Sequence, residues 1–562
     1  MIDYLAQIIS FASVFAMLAA SYSLVMGTAG AFSSMQAAFF GIGAYAASIS
    51  AISFQTPFPF DLLIGGTTAA LIGTLVSLPL WRLPGEAVLV ATIALQLVFS
   101  SVFVNATVTG GRSGLYGIPR PQLFGMPFAT ALPFSILAIA VALVVILLLH
   151  LYLRRSAGLS TRAVRDDSSL AQSFGIAPAA PRLAAWTLSA GFAGVAGGLY
   201  ARFVGYIDPG SFSLHQTLLI LTMLVIGGLG NVWGAAFGAV LLVAVPELLS
   251  FVPSTSSAAD QLEPVIYSVV LLLVVMFRPQ GIFPERNVPS RRGRRPAPPA
   301  TGSAPVERPI SAPSGTVVVS GITKSFGGLS VLKGIDLELR PNEVTAILGP
   351  NGAGKTTLFN IIAGAERPDA GTVEWGGQLL TGRPPHELAR MGLARSFQDA
   401  RMFPTFTVYE YMVVTAHTRR TGTMRLLSRM VPDGLTAEIT QALEPYGLAD
   451  QLDTRLSDLS YGQHKTLILA SLVYWGPTVV LFDELAAGLD AKSAADVAAH
   501  VRALRSPERV ICLVEHNLDF VWAAADRVVL LGEGLIVADG TPEQIRQDPA
   551  AFATYFGKAE IP

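Results

Sequence analysis

The chain has 562 residues, of which 52% are hydrophobic and only 14% charged, against roughly 25% charged in an ordinary soluble protein. With 38 Lys+Arg against 39 Asp+Glu it lacks the basic excess of a nucleic-acid binder, so no nucleic-acid partner is expected. Its single cysteine, Cys512, excludes an intrachain disulfide and any zinc or iron–sulfur site built from several cysteines of one chain.

The charges are unevenly spread. Residues 1–283 hold 10 Arg, no Lys and 9 Asp+Glu, and the first lysine is Lys324. A membrane domain over 1–283 is therefore joined to a water-facing domain over 316–562. The first part reads as apolar runs near the ~20 residues that cross a bilayer: about 5–27, 34–54, 61–81, 86–106, 130–153, 183–204, 212–230, 233–252 and 262–278. This predicts an all-α bundle of eight to ten spans, one of the shorter runs being a candidate re-entrant segment. Glycines inside the runs, as in Gly41-Ile42-Gly43 and Gly194-Val195-Ala196-Gly197-Gly198, let membrane helices approach closely. The first run follows no basic residue and is expected to stay as a mature helix.

Arginines set the orientation. Arg154, Arg155, Arg162 and Arg165 share one loop, and Arg291, Arg292, Arg294 and Arg295 follow the last run. Both clusters belong in the cytoplasm, so an even number of crossings separates them. Residues 284–315, rich in Pro, Arg, Ser and Ala, read as a tether. Their basic cluster suits anionic lipid headgroups, which makes membrane lipid an expected partner. From Thr316 onward short β runs (Thr316–Ser320, Val344–Leu348, Val479–Phe482, Val510–Val514, Val528–Leu531) alternate with helical stretches (Lys355–Ala363, Gly462–Val473, Ala491–Leu504). The alternation predicts a largely parallel α/β sheet.

Gly349-Pro350-Asn351-Gly352-Ala353-Gly354-Lys355-Thr356-Thr357 fits G-x-x-x-x-G-K-[ST] between a strand and a helix, the context of a P-loop. Its backbone N–H groups and the helix N-terminus suit phosphate. Lys355 is expected to reach the β- and γ-phosphates of ATP, and Thr356 to ligate Mg²⁺. Val479-Val480-Leu481-Phe482-Asp483-Glu484 is an apolar strand ending in two carboxylates. Asp483 suits Mg²⁺, and Glu484 can polarise a water at the γ-phosphate.

Leu459-Ser460-Tyr461-Gly462-Gln463, about 20 residues before Asp483, resembles the signature of ABC-type ATPases. The order of other motifs agrees. Gln398 matches the Q-loop, Asp490 the D-loop, His516 the switch histidine, and Phe326 the aromatic that stacks on adenine. The resemblance implies a P-loop ABC ATPase in which two such domains face head to tail. It gives catalytic roles to Glu484, His516 and Gln398, with Gln398 also reaching the metal. Ser460, Gly462, Gln463 and Asp490 would face the nucleotide across the dimer. Tyr461, Leu485 and His464-Lys465 depart from the common pattern, where Gly, Pro and Gln-Arg are frequent.

The permease half resembles importers of the branched-chain (hydrophobic) amino acid uptake family. The resemblance is carried by Ala37–Tyr45, Gly194–Tyr200, Gly227–Ala235 and Arg278-Pro279-Gln280-Gly281-Ile282-Phe283. Residues 154–182 look like its coupling segment, departing at Ser168-Ser169. In the ATPase half, Ala389–Gln398 and Ala486–Leu489 agree. The resemblance implies a multi-pass protein of the bacterial inner membrane with a cytoplasmic ATPase. Its partners would be a periplasmic substrate-binding protein and a second permease/ATPase half, supplied by a related fused chain, separate subunits or a homodimer. Of the charged residues in the runs, Arg202 and Glu247 are read as interfacial rather than substrate ligands. The mostly uncharged path suits branched-chain or other small hydrophobic amino acids. Urea, short amides and aromatic acids also fit it, and a membrane-anchored regulatory ATPase without transport is the reading from another class.

Overall fold

A computed structural model describes residues 2–123, 126–128, 130–250, 269, 272–274, 276–285, 313–396, 402–421 and 434–548. The chain divides into two units, Met1–Arg165 with Pro178–Arg286, and Asp166–Ala177 with Asn287–Pro562.

The first unit is helical. It comprises α1 (Ile2–Ser23, continued by a π turn to Thr28), α2 (Gln36–Ser53), α3 (Phe60–Leu80), α4 (Gly85–Asn105), α5 (Ala131–Leu153), α6 (Ser156–Asp166), α8 (Ala179–Val204), α9 (Leu214–Gly227) and α10 (Val232–Ser250). Among the described residues, six helices are long and apolar enough to cross a membrane: α1 with its π turn, α2, α3, α4, α5 and α8. The predicted runs 212–230 and 233–252 do not stand as two simple spans. They become α9 and α10, bent by 118° at the break between them. Gly228 and Gly230 supply the reversal with φ of 123° and 79°, conformations open to glycine. At 14 residues, α9 is about 21 Å long, short of a hydrocarbon core of about 30 Å. Most of the predicted run 262–278 lies outside the described residues, as do 286–312 of the tether.

Helix α8 packs on both α2 and α3, and α1 on α5 and α10. The α2–α8 crossing depends on bare glycine. A Cβ on Gly43 would overlap the Gly194 backbone, and one on Gly197 would overlap the Phe40 carbonyl. Gly197→Val is therefore expected to separate the helices and lower thermal stability in detergent by at least about 2 kcal/mol, read as a drop in Tm. Tyr22, Phe40 and Phe212 are fully buried in this core. Arg202, at the end of α8, pairs with Asp61 in the first turn of α3 at 2.8 Å, both side chains being buried. A second Arg202 nitrogen donates to the Thr56 carbonyl at 3.3 Å. Arg202 thus closes a brace between the end of α8 and the start of α3. Glu247 falls in α10, where its side chain is outside the described residues. At the other end of the unit, Glu285 takes Arg162 and Arg165 at 3.0 Å each.

The second unit holds two sheets. Strands β1 (Val317–Phe326), β2 (Leu329–Leu339), β4 (Ala370–Trp375) and β5 (Gln378–Leu379) form an antiparallel sheet in the order β2-β1-β4-β5. The other strands are β3 (Val344–Leu348), β6 (Leu393–Arg395), β7 (Val479–Asp483), β8 (Val510–Val514), β9 (Arg527–Gly532) and β10 (Leu535–Gly540). Their order is β6-β7-β8-β3-β9-β10, parallel except for the final β9–β10 pair. Every residue of β3, β7 and β8 is buried, which explains why Thr345 and Asp483 are their only polar residues. Helices α11 (Lys355–Ile362), α12 (Pro385–Met391), α13 (Val408–Thr421), α14 (Leu435–Leu443), α15 (Tyr461–Trp475), α16 (Ala491–Ala503), α17 (Leu518–Ala524) and α18 (Pro542–Gln547) complete it, together with α7 (Ser168–Ser173). Cys512 is buried in β8. The antiparallel sheet is more extensive than the single strand predicted there.

Candidate functional site

Parallel strands bring their carboxyl ends to one edge, and the loops beyond them can meet. Asp483 pairs in register with Val514, and Val514 with Ile347. The P-loop after β3, the carboxylates ending β7 and the Glu515-His516 turn after β8 therefore converge.

The P-loop turns at Gly352 and Gly354, with φ of 85° and 99°. A Cβ on Gly354 would come within 2.6 Å of Leu332 Cδ2. Beyond it Lys355 opens α11 and folds back, its Nζ donating to the Gly349 and Pro350 carbonyls at 2.7 and 2.9 Å. Burial lowers the lysine pKa, while Glu484 and Asp483 act to raise it. Ala353 is buried, Thr356 and Asn351 are exposed, and Thr357 is half-buried. Phe326 ends β1 with half its surface exposed, and Lys324 Nζ lies 5.0 Å over its ring.

Asp483 is buried. Its backbone N–H donates to the Ser396 hydroxyl at 3.0 Å, and Arg395 lies 3.4 Å from Oδ2. Burial raises the carboxyl pKa, against the lowering effect of Arg395. Asp483 Oδ1 is buried without a hydrogen-bond partner. Glu484 follows at φ 48°; its N–H donates to the Val514 carbonyl at 2.8 Å, and its Oε1 sits 3.1 Å from His516 Nε2. The predicted pair Glu484 and His516 is thus in contact. Gln398 lies outside the described residues.

The signature starts α15. Ser460 is its N-cap, accepting the Gln463 N–H at 3.3 Å, while Gln463 Oε1 accepts the Ser460 N–H at 2.8 Å. This reciprocal cap engages the Gln463 side-chain oxygen. Ser460 and Gly462 are exposed, and a Cβ on Gly462 would meet nothing. Asp490 caps α16, accepting the Ser493 N–H and hydroxyl at 2.9 Å each. These bonds hold its pKa below the usual carboxylate range.

Two charged residues beside the site were missed as functional candidates. Lys465, 1% exposed, donates to the Glu484 carbonyl at 3.3 Å. Glu515, 2% exposed, accepts the Ala486 N–H at 2.7 Å. Burial pushes the Glu515 acid up to about 7. In the sequence they stand out only by position, one just after the signature and the other directly before His516.

Residues 166–177 belong to this same unit. Asp167 caps α7, accepting N–H groups of Ser169 and Leu170 at 2.8 and 2.9 Å. Asp166 accepts the Thr405 N–H at 3.1 Å and its hydroxyl at 2.5 Å. Phe174 stands edge-on to Tyr411 at 5.3 Å and near Phe403 and Trp475. The Thr418 hydroxyl and Arg390 donate to the Phe174 and Gly175 carbonyls, each at 2.9 Å. A small cavity beneath α7 is lined by Leu170, Ser173, Arg395, Ser396 and Ser471. The floor of the segment is therefore the strand end that also supports Asp483.

Comparison with known proteins agrees with this architecture. The family described as branched-chain amino acid transport system / permease component matches residues 4–277, and the ABC transporter family matches 332–487. The high-affinity branched-chain amino acid transport ATP-binding protein BraF of Pseudomonas aeruginosa is 35% identical, aligned over 43% of this chain and 97% of its own. LivG of Escherichia coli, of the same description, is 36% identical with the same coverage. The lipopolysaccharide export system ATP-binding protein LptB of Haemophilus influenzae is 28% identical over 43% of this chain and 97% of its own. The chain is a multi-pass member of the ABC transporter family, in which a permease of the branched-chain amino acid type and an ATP-hydrolysing cassette are fused in one polypeptide.

Proposed function

We propose that this chain is one half of an inner-membrane importer that uses ATP to move branched-chain or other small hydrophobic amino acids into the cytoplasm. The observation that carries this reading is the seating of residues 166–177 on the cassette. A segment between two permease helices is held by the domain that hydrolyses ATP, so motion of one is delivered to the other. The segment and the cassette then share one side of the membrane, and the chain between them crosses an even number of times. That favours α9 and α10 as a re-entrant pair over one broken span.

In this reading Lys355 leaves the Gly349 and Pro350 carbonyls for the β- and γ-phosphates, inside the cradle of Gly349–Gly354. The unpartnered Asp483 Oδ1 and the exposed Thr356 hydroxyl fit Mg²⁺, which needs few protein ligands when phosphates supply the others. Among the described residues no cluster of three His, Cys, Asp or Glu competes for a metal. Bound Mg²⁺ would neutralise charge on the phosphates. Glu484 takes a proton from water, and His516 holds the Glu484 carboxylate and the γ-phosphate side of the site. Gln398 would help Asp483 hold the metal. Phe326 offers adenine one ring face, its other face being covered by Lys324. Ser460 and Gly462, open on the surface, meet the ATP of the partner half, with Asp490 fixing the adjoining loop. Gln463 sets Ser460 through the cap, and its side-chain NH2 can still reach the same ATP.

The working unit contains two halves and a periplasmic substrate-binding protein, with the two permease halves on different chains. Lys355→Ala removes a charge-assisted contact of about 1.5–3 kcal/mol. ATP affinity should fall by roughly 10- to 100-fold in a fluorescent-nucleotide titration. The function itself is tested in vesicles containing both halves. Accumulation of labelled leucine that requires ATP and the binding protein is expected; hydrolysis without accumulation rejects the importer.

A further inference from the structure

The turn that presents Glu484 has a backbone difficulty. At φ 48° Glu484 occupies the left-handed region, which is unfavourable for a residue with a Cβ. Such strain persists only where the surroundings over-determine it. The following residue, Leu485, lacks the ring that would fix its own φ.

Two buried charges grip this turn from opposite sides. Lys465, from α15, donates to the Glu484 carbonyl at 3.3 Å. Glu515, from the end of β8, accepts the Ala486 N–H at 2.7 Å and the His516 N–H at 3.3 Å. One carboxylate therefore ties the far end of the turn to the backbone of the histidine that contacts Glu484. Tyr461 lies over the Lys465 ammonium at 5.3 Å and also faces Gly488. Keeping both charges dry is a net cost that well-packed apolar side chains would avoid, so stability does not account for them.

We propose that Lys465 and Glu515 are positioning residues for hydrolysis, fixing the 484–486 turn so that the Glu484 carboxylate is aimed at the reacting water beside His516. The inference rests on the reading of Glu484 as the general base. Neither residue touches nucleotide in this account, so their loss should act on the rate and spare binding.

The test uses the full chain assembled with its partner half, measuring kcat, KM for ATP and Tm. Lys465→Met and Glu515→Leu are expected to lower kcat at least about 10-fold, since sub-ångström misplacement of a catalytic group is costly, with KM within about twofold. Lys465→Arg should retain most activity. Glu515→Gln, whose amide oxygen still accepts the Ala486 N–H, should be milder than Glu515→Leu. Burial pushes the acid up to about 7 from the ordinary 4.5, so the cost of ionising it grows from pH 4.5 to 7 and is complete above 7. Glu515→Gln should therefore keep or raise Tm at pH 8 while slowing turnover. Parental kcat in Lys465→Met, or joint loss of Tm and nucleotide affinity with no kcat effect beyond it, overturns the proposal. If Glu484→Gln is inactive while these variants turn over normally, the positioning role fails alone. If Glu484→Gln turns over normally, the reading beneath it has failed.

Discussion

Glu484→Gln should slow ATP turnover at least ~100-fold, the scale of a lost general base, while the protein still binds ATP and closes. The carboxylate lies 3.1 Å from His516 Nε2 at the converging ends of β7 and β8, one residue after the aspartate suited to the metal. The amide keeps the size and a hydrogen-bonding oxygen but cannot accept a proton from water. Binding should be spared because phosphate contacts come from Lys355 and the loop before it. Single-turnover hydrolysis with parallel nucleotide binding separates the two effects. Turnover near the parental rate would contradict the role of Glu484.

Phe174→Ala should uncouple the two activities. The ring is 6% exposed, set among Phe403, Tyr411 and Trp475. Burying such a side chain is worth about 1.5–3 kcal/mol, enough to shift a docked segment roughly 10- to 100-fold toward release. Basal hydrolysis should change less than about twofold, because among the described residues the rings packed on Phe174 are Phe403, Tyr411 and Trp475, none of them assigned to nucleotide. Transport, and stimulation of hydrolysis by the loaded binding protein, should fall at least about 10-fold. Parallel loss of basal hydrolysis would instead mean that Phe174 supports the cassette fold. Truncating Asp166 to Ala should give the same pattern, since it removes the two hydrogen bonds from Thr405.

The strand cores and the phosphate loop were legible because their signals are local. Val344–Leu348, Val479–Phe482 and Val510–Val514 are apolar but for Thr345, and glycine spacing reports backbone shape directly. The antiparallel β1–β2–β4–β5 sheet was mostly missed because half-exposed strands such as Ala370–Trp375 carry weak alternation. Hydropathy counts apolar length and not direction, so it could not reveal the 118° reversal between α9 and α10; Gly228 and Gly230 were the local sign. Arg202 was visible as a charge near a span end, but its partner Asp61 lies 141 residues away, beyond any local pattern. The capping box of Ser460 and Gln463 was readable as S-x-x-Q, and the signature reading overshadowed it. Lys465 and Glu515 needed three-dimensional neighbours before their charges acquired meaning.

The central claim is that residues 166–177 ride with the cassette while joined to the permease. Ser173 and Ser471 line the same cavity, and the only native cysteine, Cys512, is buried, so a Ser173→Cys, Ser471→Cys protein offers one clean thiol pair. In native membranes a short bifunctional thiol reagent should link the pair in the resting state, and the linked protein should still transport. Two thiols that each react with maleimide but never link to one another would contradict the account.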